Sequence, residues 1–160
     1  MDALTRHLRL AGVKVSVFKD AVEINSSGLR PRPVNILTKP YPGFPTDLQA
    51  PWMAFMARAR GLCYVNERVF ENRFMHAAEL GRMGADISVA DKKAHIRGVE
   101  ALLGAPVMAS DLRAGAALVV AALAAGGKTL VRRVYHIDRG YEKFEDKLRR
   151  LGADIERVRS

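Results

Sequence analysis

Apolar and polar positions along the chain fall into a pattern that recurs. The stretches LRLAGVKVSV (Leu8 to Val17), LGRMGADISV (Leu80 to Val89) and LRRLGADIERV (Leu148 to Val158) each read as a helix end, a glycine stop and an alternating strand. The periodicity changes from helical to two-residue across Gly12, Gly84 and Gly152, where a left-handed helix cap favours glycine. A second pattern occurs twice, in TDLQAPWMAFMARARG (Thr46 to Gly61) and SDLRAGAALVVAALAAGG (Ser110 to Gly127). Both open Ser/Thr-Asp-Leu, stay apolar for several turns and stop at glycine. Thr46 and Ser110 are expected N-caps, with Asp47 and Asp111 in the first helical turn. Strands are expected next, in LCYVNERVF and TLVRRVYHI, each leading to an arginine-bearing loop: Arg73 in FENRFMH and Arg139 in HIDRGYE.

The chain is therefore expected to hold about two and a half copies of one α/β unit. A half repeat lies at about residues 3–27, with full repeats at about 28–100 and 101–160. Such units share a core, and a half unit leaves a neighbour unfilled, which hints at truncation.

Composition narrows the classes. The chain has 160 residues, 49% hydrophobic and 27% charged, enough for one domain with its own core. The apolar run Ala114–Gly127 is too short to cross a membrane, and the first residues carry no secretory signal core. The one cysteine, Cys63, excludes an intramolecular disulfide, suits a reducing cytoplasm and is read as a small buried hydrophobe. No His/Cys cluster has metal-ligand spacing. Of the four histidines, His7, His76 and His95 are expected at the surface or in packing, without partners.

A net charge of +9 calls for an anionic partner. The basic residues are scattered, and aromatic residues (7%) do not interleave with them, so a nucleic-acid stacking surface is not supported. Arginines at turns suit a small anion better, because the guanidinium fork matches carboxylate and phosphate. Asp47 and Asp111 could both be helix caps, and the arginines could all be solvated. For Asp47 the cap reading is the weaker, since Pro42 and Pro45 stiffen the backbone beside it. A carboxylate held in place is what proton transfer needs. The residues themselves thus propose an anionic substrate at Arg73, Arg113 and Arg139, with Asp47 handling the proton.

The segments PYPGFPTDLQA, VFENRFMHAAELGRMGADI, GAPVMASDLRAGAAL and VYHIDRGYEKFEDKLRRLGADIERV resemble the UDP-N-acetylglucosamine 1-carboxyvinyltransferases, or UDP-GlcNAc enolpyruvyl transferases. The resemblance implies an α/β fold of repeated β-α-β-α-β-β units, part of an inside-out α/β barrel domain. It implies transfer of the enolpyruvyl group of phosphoenolpyruvate to the 3-hydroxyl of UDP-N-acetylglucosamine, the first committed step of peptidoglycan synthesis. Carried over by position, Asp47 is the catalytic aspartate that also touches the sugar. Val69 offers backbone to the nucleotide sugar. Arg73, Arg113 and Arg139 gather around phosphoenolpyruvate, with Arg139 also catalytic. Neither cofactor nor metal is implied. Cys63 lies in the wrong motif for the family's reactive cysteine and takes no such role.

The same resemblance implies that these 160 residues are the carboxy-terminal part of the catalytic domain, without the amino-terminal domain. Alone, the chain is expected to lack full activity. It then reads as a fragment, as half of a split enzyme whose partner is the missing amino-terminal half, or as a non-catalytic binding module. No nucleic acid or membrane partner is expected, and the location is the cytoplasm.

Overall fold

The computed structural model describes residues 2–26 and 28–158. In chain order the elements are α1 (Asp2–Leu10), β1 (Lys14–Val17), β2 (Val22–Asn25), β3 (Ile36–Leu37), a 3-10 turn (Thr46–Leu48), α2 (Gln49–Met56) and β4 (Leu62–Asn66). There follow α3 (His76–Arg82), β5 (Asp86–Ala90), β6 (Lys93–Arg97), β7 (Leu102–Leu103), β8 (Pro106–Met108) and α4 (Leu112–Leu123). The chain closes with β9 (Ala125–Gly126), β10 (Leu130–Arg132), α5 (Tyr135–Asp138) and α6 (Phe144–Arg150).

One complete unit is present, β3-α2-β4-α3-β5-β6, and its strands form one sheet in the order β3-β4-β6-β5. β3 and β4 run parallel, and β6 runs antiparallel to both β4 and β5. The β1–β2 hairpin repeats the β5–β6 part of that unit, and the parallel pair β8–β10 repeats its β3–β4 part. The α/β class is thus as the sequence indicates, while of the two full repeats expected only residues 36–97 form a complete unit among the described residues. Gly12, Gly84 and Gly152 take φ of 94°, 86° and 93°, the left-handed values that stop each helix without a Cβ penalty.

Several local expectations are corrected. Residues 153–158 form no strand. Where β1 has β2 and β5 has β6, this segment has no neighbouring strand among the described residues, and an unpaired strand does not satisfy its backbone. Its connection to the preceding helix still copies the first one: Arg9 Nε donates to Val15 O (3.1 Å), and Arg149 Nε to Ile155 O (3.2 Å). LCYVNERVF is strand only to Asn66, and the second half of TLVRRVYHI is the short helix α5. The two apolar helices end at Met56 and Leu123, before their glycines. Neither Thr46 nor Ser110 is an N-cap: Asp111 caps α4, and α2 begins through the 3-10 turn.

α2 and α4 pack on each other, with Met53, Met56, Ala117 and Leu118 fully buried. Alanine in place of Met53 or Leu118 would cost about 2–5 kcal/mol. His7, His76 and His95 do have partners. His7 lies edge-on to Phe44 (5.0 Å) and Trp52 (5.9 Å), His76 meets Met53 Sδ at 3.3 Å, and His95 lies edge-on to Tyr64 at 4.8 Å. Cys63 is buried, and burial pushes its thiol up to about 11, which leaves it an inert core residue. No helix of the described residues is long and apolar enough to cross a membrane.

Candidate active site

The segment before α2 is shaped by close contact. Gly43 N–H donates to Pro40 O (2.8 Å) and Lys39 N–H to Phe44 O (3.0 Å). A Cβ on Gly43 would come within 2.4 Å of the Lys39 Cβ, so only glycine lets the turn close. Phe44 is then buried in an edge-on contact with Trp52 (5.5 Å), which anchors the loop to α2. Leu48 N–H donates to Pro45 O, and Gln49 N–H to Thr46 O. These 3-10 bonds occupy N–H groups that a capping side chain would otherwise take. The Asp47 carboxylate is left without a capping duty.

That carboxylate meets arginines from two other elements. Arg113 Nε, in the first turn of α4, donates to Asp47 Oδ1 at 2.7 Å. Arg73 Nη1 lies 4.0 Å from the same oxygen, and its guanidinium sits 4.4 Å from the centre of the Phe70 ring. Asn72, at φ 52°, makes the left-handed turn before Arg73, a conformation that asparagine tolerates better than most residues. Side-chain exposure is 62% for Asp47 against 21% for Arg73, so the acid faces solvent from between two cations.

Arg139 stands apart. It ends α5 and is exposed, and no ion pair joins it to Asp47, Arg73 or Arg113 among the described residues. α5 itself lies close to α4: a Cβ on Gly140 would meet Leu112 Cδ2 at 2.7 Å, and one on Gly115 would meet Ile137 Cγ1 at 2.6 Å. The acids nearest to Arg139 in sequence are taken by others. Asp138 receives two bonds from Arg157 (2.6 and 3.0 Å), and Lys147 lies 3.8 Å from Glu142. The Arg157 bonds hold the Asp138 carboxyl below the usual carboxylate range. Among the described residues, Arg139 forms no ion pair with either of these acids.

Asp111 does different work. Its side chain accepts from Arg113 N–H (2.9 Å) and Ala114 N–H (3.0 Å) and so caps α4. Partial burial pushes its carboxyl up, but these backbone bonds, the Ser110 hydroxyl and the charge of nearby His76 outweigh it and hold it below the usual range. One residue thus joins the two aspartates: Arg113 gives its backbone N–H to Asp111 and its side chain to Asp47.

Sequence does not single out Glu67, and nothing local distinguishes it from Arg68 and Glu71, the charged residues that follow it. It is 1% exposed. Its Oε1 accepts from Thr38 Oγ1 (2.8 Å), Val69 N–H (2.8 Å) and Phe70 N–H (3.1 Å), and its Oε2 from Thr46 Oγ1 (2.9 Å). The Val69 N–H is therefore already engaged within the protein. No three His, Cys, Asp or Glu side chains among the described residues form a group able to hold a metal ion.

The family model of EPSP synthase (3-phosphoshikimate 1-carboxyvinyltransferase) matches residues 1–148. The UDP-N-acetylglucosamine 1-carboxyvinyltransferase of Allorhizobium ampelinum is 54% identical over 158 residues, 99% of this chain and 37% of that protein. Its counterpart from Xanthobacter autotrophicus is 54% identical over 151 residues, covering 94% and 35%. The chain thus spans little more than a third of the length of these curated relatives. Among solved structures, the enolpyruvyl transferase NikO from Streptomyces tendae superposes with a TM-score of 0.88 at 34% identity, over 97% of this chain and 36% of that one. EPSP synthase from Acinetobacter baumannii shares the fold, with a TM-score of 0.73 at 18% identity, over 98% of this chain and 36% of that one.

Proposed function

Because the chain belongs to the EPSP synthase (3-phosphoshikimate 1-carboxyvinyltransferase) family, we propose that it supplies part of the active site of an enolpyruvyl transfer to UDP-N-acetylglucosamine. The observation that carries this reading is the Asp47 carboxylate, freed from capping, with Arg113 Nε at 2.7 Å and Arg73 Nη1 at 4.0 Å. The choice of acceptor follows the UDP-N-acetylglucosamine 1-carboxyvinyltransferases, at 54% identity.

In this reading the 3-hydroxyl of the sugar attacks C2 of phosphoenolpyruvate while C3 of the enol gains a proton. A tetrahedral adduct forms, then loses phosphate and a C3 proton to leave the enolpyruvyl ether. Asp47 takes the hydroxyl proton, a transfer worth about 10²–10⁴-fold when the base is well placed. Arg73, Arg113 and Arg139 hold the carboxylate and phosphate, whose charge persists through both halves of the reaction. Val69 offers backbone to the nucleotide sugar. The product belongs to peptidoglycan synthesis, in the cytoplasm, and no cofactor enters. The 160 residues are read as the carboxy-terminal part of the catalytic domain.

Asp47 is too exposed here for the water-poor site that such chemistry needs. The chain alone is therefore expected to release no phosphate from phosphoenolpyruvate and UDP-N-acetylglucosamine. The test is a graft, in which this chain replaces the matching 37% of the Allorhizobium ampelinum enzyme. Phosphate release within about tenfold of that parent supports the reading. A folded graft that binds neither substrate would leave the chain a non-catalytic module.

A further inference from the structure

We propose that Glu67 is the positioning residue of this site, its buried carboxylate fixing Asp47 relative to the loop that carries Val69, Phe70 and Arg73. The inference rests on the enzymatic reading above and adds a residue to it.

An ionised carboxylate accepts about four hydrogen bonds, and Glu67 has four, all from neutral donors. Neither lysine nor arginine pairs with it among the described residues. Burying a charge without a counter-ion is costly, and an apolar side chain would fill the same space at less cost. The donors show what the charge accomplishes. Thr38 ends the β3 segment, Thr46 is the residue before Asp47, and Val69 and Phe70 begin the loop to Arg73. Thr38 Oγ1 in turn accepts from Arg68 N–H at 2.9 Å, which closes the ring of contacts. Among the described residues, the side-chain hydrogen bonds between the segments that present Asp47 and Arg73 all belong to this ring, beside the 4.0 Å ion pair of Asp47 with Arg73 itself. If Glu67 moves, Thr46 moves, and the Asp47 carboxylate moves with it. A displacement of about 1 Å at a reacting group can cost roughly a hundredfold in rate.

Two of the three arginines proposed for phosphoenolpyruvate, Arg113 and Arg139, lie outside this ring, and Thr46 touches the ring on the side of Asp47 and not of Arg73. Loosening it is therefore expected to lower kcat far more than it raises KM for phosphoenolpyruvate. The most selective variant is Thr46→Val, which keeps the shape of the side chain and removes one of the four donors. In the graft, kcat is expected to fall about tenfold or more, with KM changed by less than about threefold and with a fall in melting temperature that Thr46→Ser restores. Thr46→Ser restores the hydroxyl and is expected to recover most of the rate. Glu67→Asp, one methylene shorter, cannot reach Thr46 and both amides together. In the unmodified chain it is expected to speed hydrogen exchange at the Val69 and Phe70 amides by about tenfold or more.

The proposal is overturned if Thr46→Val keeps kcat within about twofold, or if Thr46→Ser falls as far as Thr46→Val. It is also overturned if the Val69 and Phe70 amides exchange at the parent rate in Glu67→Asp. If the parent graft releases no phosphate, the enzymatic reading fails on its own. The decision on Glu67 then passes to the Arg113 Nε–Hε resonance of the chain, which must shift in Thr46→Val if Thr46 positions the partner of Arg113.

Discussion

Thr46-Asp47-Leu48 and Ser110-Asp111-Leu112 are the same signature before the same kind of apolar helix, yet the two carboxylates do different work. At the second, the aspartate backbone is extended (φ −158°, ψ 178°) and the side chain turns back onto two N–H groups of its own helix. At the first, Pro45 and Thr46 carbonyls take the N–H groups of Leu48 and Gln49. The Thr46 hydroxyl is drawn away to Glu67, and Asp47 points out to two arginines. A helix-start signature reveals a helix start. What its carboxylate does depends on which other groups have already satisfied the backbone.

The largest expected effect separates these two roles. In the graft, Asp47→Asn is expected to lower turnover by about 10²–10⁴-fold, measured as phosphate release. The melting temperature should stay within about a degree of the parent, since no backbone donor depends on Asp47. A fall in stability equal to that of a lost cap would make Asp47 a second Asp111.

The second concerns His76, which lies beside Asp111 and not beside Asp47. Burial lowers its pKa to about 4, against the attraction of Asp111. The folded value lies below the unfolded one, so between about pH 6.5 and 4 the unfolded chain binds more protons. Stability is therefore full above about pH 6.5 and is lost as the pH falls through that window, at up to about 1.4 kcal/mol per unit. Chemical denaturation at several pH values is expected to show this slope in the chain and a flatter one in His76→Gln. Equal slopes would remove His76 as its source.

The third asks whether the fork of Arg139 matters. Arg139→Lys keeps the charge but not the planar donor pair. The lost bond to a charged oxygen, about 1.5–3 kcal/mol, corresponds to about one to two decades in kcat/KM for phosphoenolpyruvate. A loss below about threefold with unchanged melting would leave Arg139 a solvated surface residue.

The smallest is the cap itself. Asp111→Ala is expected to destabilise the chain by about 1 kcal/mol, while Asp47→Ala should not, as read by urea denaturation. Equal losses would mean that the difference between the two aspartates is confined to geometry.

Much of this was legible because it is local and periodic. The change of period across Gly12, Gly84 and Gly152 reports a backbone that needs φ near 90°, and the repeated units follow from it. The prolines beside Asp47 and the arginines at turns identified three residues that the fold brings together. What stayed hidden depends on neighbours remote in sequence. Residues 153–158 alternate like a strand but have no partner strand among the described residues. VYHID alternates as well, yet it becomes helix where Ile137 packs against Gly115. Glu67 is one charged residue among several until Thr38 and Thr46 close on it from distant segments.

The central claim is that Asp47, with its arginines, faces the ligand, while Asp111 serves the fold. It is tested most directly by following the two aspartate carboxyl carbons and the Arg113 Nε–Hε resonance in the graft by NMR, as phosphoenolpyruvate is added with UDP-N-acetylglucosamine saturating. The expected result is that Asp47 and Arg113 Nε–Hε move in proportion to site occupancy, while the Asp111 carboxyl and the Ala114 amide keep their positions. Movement at Asp111 with Asp47 unchanged would contradict the account.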